Sequence, residues 1–271
     1  MTQALLETLS ELAPRIAAAG HLFLFLDFDG TLAPIVEDPD QARMPAATRE
    51  ILRTLAARES VSVGIISGRA LSDVRERAGL KDIIYAGNHG LEISGAGLQR
   101  IDSTAMSQVE PLRNLAQDLR DRLSHIPGIL VENKVLTASV HFRKAPAASI
   151  DEIRQTVKAA ASSAGNLFCI TPGIEVFELK PRVNWNKGSA VRWIEERLDK
   201  GPSLTVFLGD DMTDEDAFAA LPDGITVRVG PHGRTSARYH LESQEAVPEM
   251  LLWLANATAF SLETSKCGTR R

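Results

Sequence analysis

Two aspartates, Asp27 and Asp29, stand at the end of an apolar run and are the first candidates for chemistry. The run covers residues 22–26, and Gly30 and Thr31 follow the acids. Five consecutive apolar residues are typical of a strand buried on both faces of a parallel sheet, and active sites lie beyond the carboxyl ends of such strands. Because side chains alternate along a strand, both carboxylates can share a side. A divalent cation would offset their repulsion, and a phosphoryl group brought with it would make the pair useful.

Three further signals lie at the ends of predicted strands or at the start of a predicted helix. Ser67-Gly68-Arg69 follows the apolar stretch 62–66, and Lys187-Gly188 opens a helix. Gly209 and the acid-rich segment 210–216 follow the apolar stretch 204–208. Acids directly after apolar strands have no packing rationale, so the two acidic clusters are the stronger signals.

Each signal also has a structural interpretation. Asp29-Gly30 would be only a turn, Ser67 would cap the helix that starts near residue 70, and Lys187 would be a solvated helix residue. Thr213 with Asp216 resembles a capping box in which aspartate replaces the usual Glu or Gln. The ordered set of four nevertheless favours a function.

The four signals fit one reaction at phosphorus. Asp27 would attack phosphorus and form an aspartyl-phosphate, while Asp29 would protonate the leaving oxygen and then take a proton from water. Ser67 would hydrogen-bond a phosphoryl oxygen, and Lys187 would neutralise charge. The expected Mg²⁺ ligands are the hard oxygens of Asp27 and Asp210 and the backbone carbonyl of Asp29; Asp214 is a further ligand or a support for the others.

The elements that must position these residues alternate between apolar strands and amphipathic helices. Strands are predicted near 22–27, 61–66, 83–86, 204–209 and 225–229, and helices near 3–19, 46–58, 70–78, 187–199, 214–220 and 246–256. This alternation predicts βαβ units and a mostly parallel sheet, hence an α/β fold.

The middle of the chain has a different pattern. Helices are predicted at 105–125 and 149–163, strand pairs at 129–132 with 136–142 and at 167–171 with 174–179, and turns at Asn133-Lys134 and Pro172-Gly173. Closely spaced strand pairs favour an antiparallel sheet backed by helices. We therefore predict a discontinuous catalytic core, 1–103 with 183–271, and an inserted α+β cap, 104–182.

Composition restricts the class of protein. The apolar fraction of 44% and the charged fraction of 24% are those of an ordinary globular protein. A net charge of −5 without a basic stripe argues against nucleic acid as a partner. No apolar run reaches the roughly 18 residues of a membrane span. The two cysteines form no metal-spacing motif, and the first twenty residues form an amphipathic pattern unlike a signal peptide. We expect a cytoplasmic monomer.

The order Asp-x-Asp-Gly-Thr, Ser, Lys and Gly-Asp-Asp-x-x-Asp resembles the haloacid dehalogenase superfamily of phosphotransferases. The resemblance implies the aspartate roles above, a Rossmann-like core and Mg²⁺. A large cap inserted between the second and third motifs is similar to the subgroup that acts on small phosphorylated metabolites.

Longer phrases are similar to the trehalose-6-phosphate phosphatase family over about residues 22–220. They are 26–32, 66–69, 87–92, 141–143, 178–181, 184–188 and 209–218. Lys180 stands where arginine is common in the family and Asn186 where aspartate is common, and neither is an inferred catalytic group. The resemblance implies hydrolysis of trehalose 6-phosphate, and we expect no fused synthase domain, because 271 residues leave no room for one.

The family resemblance also implies substrate-binding residues. Cap residues at the positions of Glu132, Lys134 and Glu178 read sugar hydroxyls, and Arg143 lies near the phosphate or the seam between cap and core. Phe28, Gly68, Arg69, Asn88 and His89 would line the core part of the site. Glu132 and Lys134 are alternatively surface residues of a hairpin turn, and His89 is alternatively a structural residue.

Two rival functions stay open at this point. One is another sugar phosphatase of the same subgroup, acting on sucrose or mannosyl phosphates. The other is a sugar-phosphate sensor without turnover, which would be expected to lose Asp27, Asp29 or Lys187.

Overall fold

The computed structural model describes residues 2–173, 175–231 and 233–267, with side chains up to residue 258. The chain divides into two compact units, residues 1–99 with 186–271 (the core unit) and residues 100–185 (the inserted unit). In the described part of the chain, no helix is both long and apolar enough to cross a membrane.

The strands of the described residues are, in chain order, β1 (Gln3–Ala4), β2 (His21–Leu26), β3 (Val61–Ile66), β4 (Ile84–Gly87), β5 (Glu92–Gly95), β6 (Leu98–Ile101), β7 (Leu130–Asn133), β8 (Ala138–His141), β9 (Phe168–Gly173), β10 (Val176–Pro181), β11 (Ser203–Gly209), β12 (Ile225–Val229) and β13 (Tyr239–Leu241). The α-helices are α1 (Leu9–Ala18), α2 (Ala46–Ala56), α3 (Leu71–Ala78), α4 (Ser103–Ser107), α5 (Val109–Leu123), α6 (Ile150–Ser163), α7 (Lys187–Leu198), α8 (Glu215–Ala220) and α9 (Val247–Cys267).

A nine-stranded sheet forms the centre of the core unit, in the order β1-β13-β12-β11-β2-β3-β4-β5-β6. In this order, neighbouring strands pair in parallel from β1 through β13, β12, β11, β2 and β3 to β4. The next pair, β4 with β5, is antiparallel. All six residues of β2 are buried, which explains why every residue after His21 is apolar. The sheet confirms the predicted α/β class.

The register of the central strands decides where the functional side chains lie. Leu26, the last residue of β2, pairs with Leu208 of β11 on one side and with Ile65 of β3 on the other. The three strands therefore end side by side, and the residues that follow them meet at one edge of the sheet.

The inserted unit contains an antiparallel sheet, β7-β8-β10-β9. Its apolar face packs against α5 and α6 in a separate core that includes Val140, Leu179, Leu119 and Val157. Glu132, Ser139, Glu178 and Thr171 occupy one register row across the four strands, on the face that alternates with the apolar one. The inserted unit thus places two carboxylates on the sheet face opposite its helices.

Three predictions of local structure are wrong. Residues 3–8 are not part of a first long helix: Gln3 and Ala4 pair with β13, residues 5–7 form a 3₁₀ turn, and the Thr8 hydroxyl donates to the Leu5 carbonyl. Pro172 and Gly173 are not a turn, because they pair with Phe177 and Val176 inside the sheet. Proline is tolerated there because β9 is an edge strand. The strands β5, β6 and β13 were not predicted at all.

Candidate active site and metal cluster

The first acid of the apolar strand, Asp27, lies between the ends of β11 and β3. Its backbone N–H donates to the Leu208 carbonyl at 2.9 Å, so it continues the pairing of the sheet by one residue. Its side chain is buried. The predicted position of Asp27 at the carboxyl edge of the sheet is therefore observed.

Lys187 reaches Asp27 from the start of α7. Its Nζ donates to Asp27 Oδ1 and to Asp214 Oδ1, both at 2.7 Å, and only 2% of its side chain is exposed. Asn186 caps the helix by accepting from the Ser189 N–H. The structure excludes the solvated-lysine interpretation: Lys187 is a buried cation shared by two buried carboxylates.

Asp27, Asp210 and Asp214 form a carboxylate cluster. One oxygen of each lies within 4.8 Å of the others, a spacing that suits a single metal ion. The Thr31 hydroxyl donates to Asp210 Oδ1 at 3.2 Å. Gly30 has a φ of +79°, and a Cβ there would lie 2.0 Å from Asp210 Oδ2. The glycine after the second acid is therefore required both by the backbone conformation and by the close approach of Asp210.

The electrostatics of the cluster favour an added cation. Burial raises the pKa of Asp27 well above its usual value against the attraction of Lys187, and repulsion from Asp214 and Asp210 adds to the rise. Burial and repulsion from Asp214 raise the pKa of Asp210 to about 7. The two carboxylates raise the pKa of Lys187, against its burial. One lysine faces three acids, and a divalent cation fits the remaining charge and the oxygen donors present.

Asp214 also has a role in local structure. It ends the 3₁₀ turn Met212–Asp214, and Asp211 and Asp214 form a reciprocal capping box there. The Asp211 N–H donates to Asp214 Oδ2 at 2.9 Å, while Asp214 Oδ1 binds Lys187. The capping box thus lies two residues before the predicted Thr213 and Asp216. Both oxygens of Asp214 have protein partners, which favours support of the cluster over direct metal ligation.

The carboxylate of Asp29 lies against Arg69. Arg69 donates from Nε to Oδ2 and from Nη2 to Oδ1, each at 2.7 Å, a bidentate pair. Arg69 also donates to Asp73 and to the Pro39 carbonyl, and Arg77 holds Asp73. Both residues were predicted for the site, but their contact was not. Ligation through the Asp29 backbone carbonyl stays a prediction.

Ser67 does not cap α3. Its hydroxyl is buried and accepts from the Arg69 N–H at 3.1 Å, across Gly68, whereas Glu92 accepts from the Leu71 N–H at the start of that helix. Ser67 is therefore held at the end of β3, where a phosphoryl-binding hydroxyl is expected.

The other predicted core residues have mixed environments. Asn88 and His89 are both buried in left-handed conformations, with φ of 48° and 58°, directly after β4. The Asn88 amide donates to Glu92 at 2.7 Å. The Phe28 side chain is fully buried in the core unit, with Arg69 5.7 Å from its ring centroid. Any contact of Phe28 with substrate must therefore come from its backbone.

In the inserted unit, Glu178 is held by two lysines. Lys134 Nζ lies 3.1 Å from Oε1 and Lys180 Nζ lies 3.0 Å from Oε2. Lys134 is itself buried, which contradicts its interpretation as a surface residue of a hairpin turn. His141 lies 3.2 Å from Glu132, and Arg143 pairs with Glu175 at 2.6 Å.

Sequence reasoning missed several partners of these residues. Among them, Thr31 beside Asp210, Glu92 beside Asn88 and His141 beside Glu132 lie inside motifs that were recognised. The sequence shows that these three residues are present but does not show their contacts.

Comparison with known proteins gives a family match. The model of the family described as trehalose-phosphatase matches residues 25–244. A relative named trehalose-phosphate phosphatase, from Mycobacterium marinum, is 40% identical over 242 residues, which are 86% of this chain and 61% of the relative. The chain thus spans about three fifths of the length of that relative.

Two solved structures are similar over most of their length. The C-terminal domain of C. albicans trehalose-6-phosphate phosphatase superposes with a TM-score of 0.79 at 25% identity, covering 94% of this chain and 98% of that one. A protein described as related to trehalose-6-phosphate phosphatase superposes with a TM-score of 0.78 at 26% identity, covering 88% of this chain and 99% of that one.

Proposed function

The chain belongs to the trehalose-phosphatase family, and from this premise we propose that it hydrolyses trehalose 6-phosphate to trehalose and phosphate. The observation that carries the proposal is the set of Asp27, Lys187, Asp210 and Asp214 at the carboxyl edge of the parallel sheet, in which all but the half-buried Asp210 are buried. A chain that had kept only the fold would have no reason to bury Asp27 and Asp214 around one lysine and to place a third acid beside them, because buried charge is costly.

The proposed reaction has two steps. A carboxylate oxygen of Asp27 attacks phosphorus, the bond from phosphorus to the sugar oxygen breaks, and Asp29 gives the leaving oxygen its proton. Water then attacks the aspartyl-phosphate, Asp29 takes the proton from water, and Asp27 is released with phosphate. Arg69 holds both oxygens of Asp29, and each oxygen keeps a lone pair for this proton.

Lys187 and Ser67 would act on charge and position. Lys187 holds the nucleophile in one place through a 2.7 Å hydrogen bond and offsets charge that accumulates on the phosphoryl oxygens. Ser67 would donate its hydroxyl proton to a phosphoryl oxygen. Asp27, Asp210 and the Asp29 carbonyl would hold Mg²⁺, which when bound would neutralise carboxylate and phosphoryl charge.

We infer that the core unit handles the phosphoryl group and that the inserted unit is a cap that reads the sugar. Glu178, fixed by Lys134 and Lys180, and Glu132, beside His141, would accept hydrogen bonds from sugar hydroxyls. Arg143, which pairs with Glu175, stays a predicted substrate-binding residue. We further propose that the protein acts in the cytoplasm as a monomer without nucleic-acid or membrane partners.

The test is phosphate release from trehalose 6-phosphate beside glucose 6-phosphate, sucrose 6-phosphate and mannosyl phosphates, each with Mg²⁺. We expect the highest kcat/KM for trehalose 6-phosphate. A higher value for sucrose or mannosyl phosphates would assign the rival sugar-phosphatase function. Binding of trehalose 6-phosphate without phosphate release would assign the sensor, although Asp27, Asp29 and Lys187 are all present.

A further inference from the structure

Arg228 contacts the loop that carries the acids of the metal cluster. It lies on β12, in register with Gly209 of β11, and its side chain is 13% exposed. Its Nη1 donates to the backbone carbonyl of Asp211 at 2.9 Å and lies 3.6 Å from Glu215 Oε1. The guanidinium therefore ties segment 210–216 (the acidic loop) to the neighbouring strand.

Glu215 anchors the same loop from a second direction. Its Oε1 accepts from the Thr235 hydroxyl at 2.7 Å, and its Oε2 accepts from the Ser236 N–H at 2.6 Å. The acidic loop is thus held by a strand on one side and by segment 235–236 on the other, and Arg228 contacts both the loop backbone and Glu215.

The position of Asp211 matters because the peptide held by Arg228 lies between Asp210 and Asp214. Asp210 is a member of the carboxylate cluster, and Asp214 is both a member and the partner of Lys187. The Asp211 N–H binds Asp214, so the same residue is fixed at its carbonyl by Arg228 and at its N–H by the cluster. A shift of this peptide would move both carboxylates.

We propose that Arg228 is a positioning residue that preorganises Asp210 and Asp214 for a divalent cation. The proposal rests on the Mg²⁺ site of the proposed function and goes beyond it, because Arg228 touches neither the metal ligands' carboxylates nor the substrate in the proposed reaction. Residues that orient metal ligands from outside typically change metal affinity by 10–100-fold when replaced.

The direction in which Mg²⁺ affinity changes when Arg228 is replaced distinguishes a positioning role from a purely electrostatic one. Arg228 carries a positive charge next to an acidic site, so its field opposes the binding of another cation. If charge were its main effect, Arg228→Gln would tighten Mg²⁺ binding. If it positions the loop, Arg228→Gln weakens Mg²⁺ binding although it removes a repulsive charge.

The experiment measures Mg²⁺ binding to the full chain without substrate, by titration calorimetry and by the Mg²⁺-induced rise in Tm. We expect the Kd to increase about tenfold or more for Arg228→Gln, within the 10–100-fold range above. Arg228→Lys, which keeps the charge but loses the planar fork, also weakens binding. At saturating Mg²⁺, the phosphatase activity of both variants recovers towards that of the wild type.

Arg15→Gln is the matched control. Arg15 also donates to a backbone carbonyl of the core unit, that of Asp223 at 2.7 Å, but both residues lie outside the acidic loop. Its Mg²⁺ Kd stays that of the wild type. If Arg228→Gln fails to fold, Thr235→Val provides the test, because it removes an anchor of Glu215 without changing Arg228; a weaker Mg²⁺ affinity supports the proposal.

The outcomes are distinguishable. Failure of the wild-type protein to bind Mg²⁺ would contradict the metal site and with it the metal part of the proposed function. A wild type that binds Mg²⁺ beside an Arg228→Gln protein with equal or tighter binding would overturn the positioning role alone. If Thr235→Val has to serve as the test, an unchanged Mg²⁺ affinity in that variant would also overturn the positioning role.

Discussion

Replacement of Lys187 by methionine tests how much the lysine stabilises the buried carboxylates around it. Lys187 is the shared cation of Asp27 and Asp214, with both contacts at 2.7 Å and all three side chains buried. Methionine keeps most of the aliphatic volume and removes the charge and the donors. The variant leaves two buried carboxylates without a cation in the metal-free protein.

The expected loss of stability follows from this geometry. Removing one partner of a buried ion pair costs about 3–5 kcal/mol, because the other charge stays buried and uncompensated. Lys187 has two such partners, which favours the upper end of that range. Protonation of Asp27, whose pKa is already raised by burial, offsets part of the cost. A loss of about 4 kcal/mol would be a large share of the roughly 5–15 kcal/mol that stabilises a typical protein.

The assay is guanidinium unfolding in EDTA, followed by tryptophan fluorescence, since Trp193 and Trp253 both belong to the core unit. Lys81→Met, at an exposed position of the same unit, is the control and should cost less than about 0.5 kcal/mol. In a double-mutant cycle, adding Asp214→Asn to Lys187→Met should cost less than the sum of the single changes. A loss below about 1 kcal/mol for Lys187→Met, or strict additivity in the cycle, would refute the reasoning.

Three further predictions concern metal, specificity and pH. EDTA should abolish phosphate release and Mg²⁺ should restore it, and Asp210→Ala should mimic metal loss; full activity in a verified metal-free sample would contradict the metal assignment. Glu178→Ala should lower kcat/KM for trehalose 6-phosphate by roughly 10²-fold while barely changing p-nitrophenyl phosphate hydrolysis; equal losses on both substrates would indicate a general role in folding. Burial raises the pKa of Asp73, but hydrogen bonds from Arg77 and Arg69 outweigh it and hold that pKa below its usual value. Its stabilisation is therefore present above pH about 4 and is lost as pH falls further, so the stability difference between wild type and Asp73→Asn should shrink in acid; a difference independent of pH would count against this ion pair.

The elements that position the site were predictable because their signals are local. Most residues of the strands β2, β3, β11 and β12 are buried and apolar. Asp27 directly follows the last residue of β2, and Asp210 directly follows the last residue of β11. Parallel pairing then brings the ends together whatever the remaining strands do. The strand β6, with half-exposed Leu98 and Arg100, has no such signal, and β13 is only three residues long.

Contacts between distant positions were not predictable in the same way. Asp29 and Arg69 are separated by 40 residues, and Lys187 and Asp214 by 27. The sequence shows that these residues are present but not which oxygen each donor reaches. The capping box illustrates the limit: Asp211 with Asp214 and Thr213 with Asp216 have the same spacing, and burial of Asp214 against Lys187 selects the first.

The most direct measurement of the central claim is phosphate release from trehalose 6-phosphate by the wild type and by Asp27→Asn, both folded and both supplied with Mg²⁺. The substitution keeps the size of the side chain and removes its nucleophilic oxygen. We predict turnover by the wild type and less than about 1% of it by the variant, because loss of an essential nucleophile costs orders of magnitude in rate. Retention of a larger fraction by Asp27→Asn would contradict covalent catalysis at the end of β2, and absence of phosphate release by the wild type would contradict the function itself.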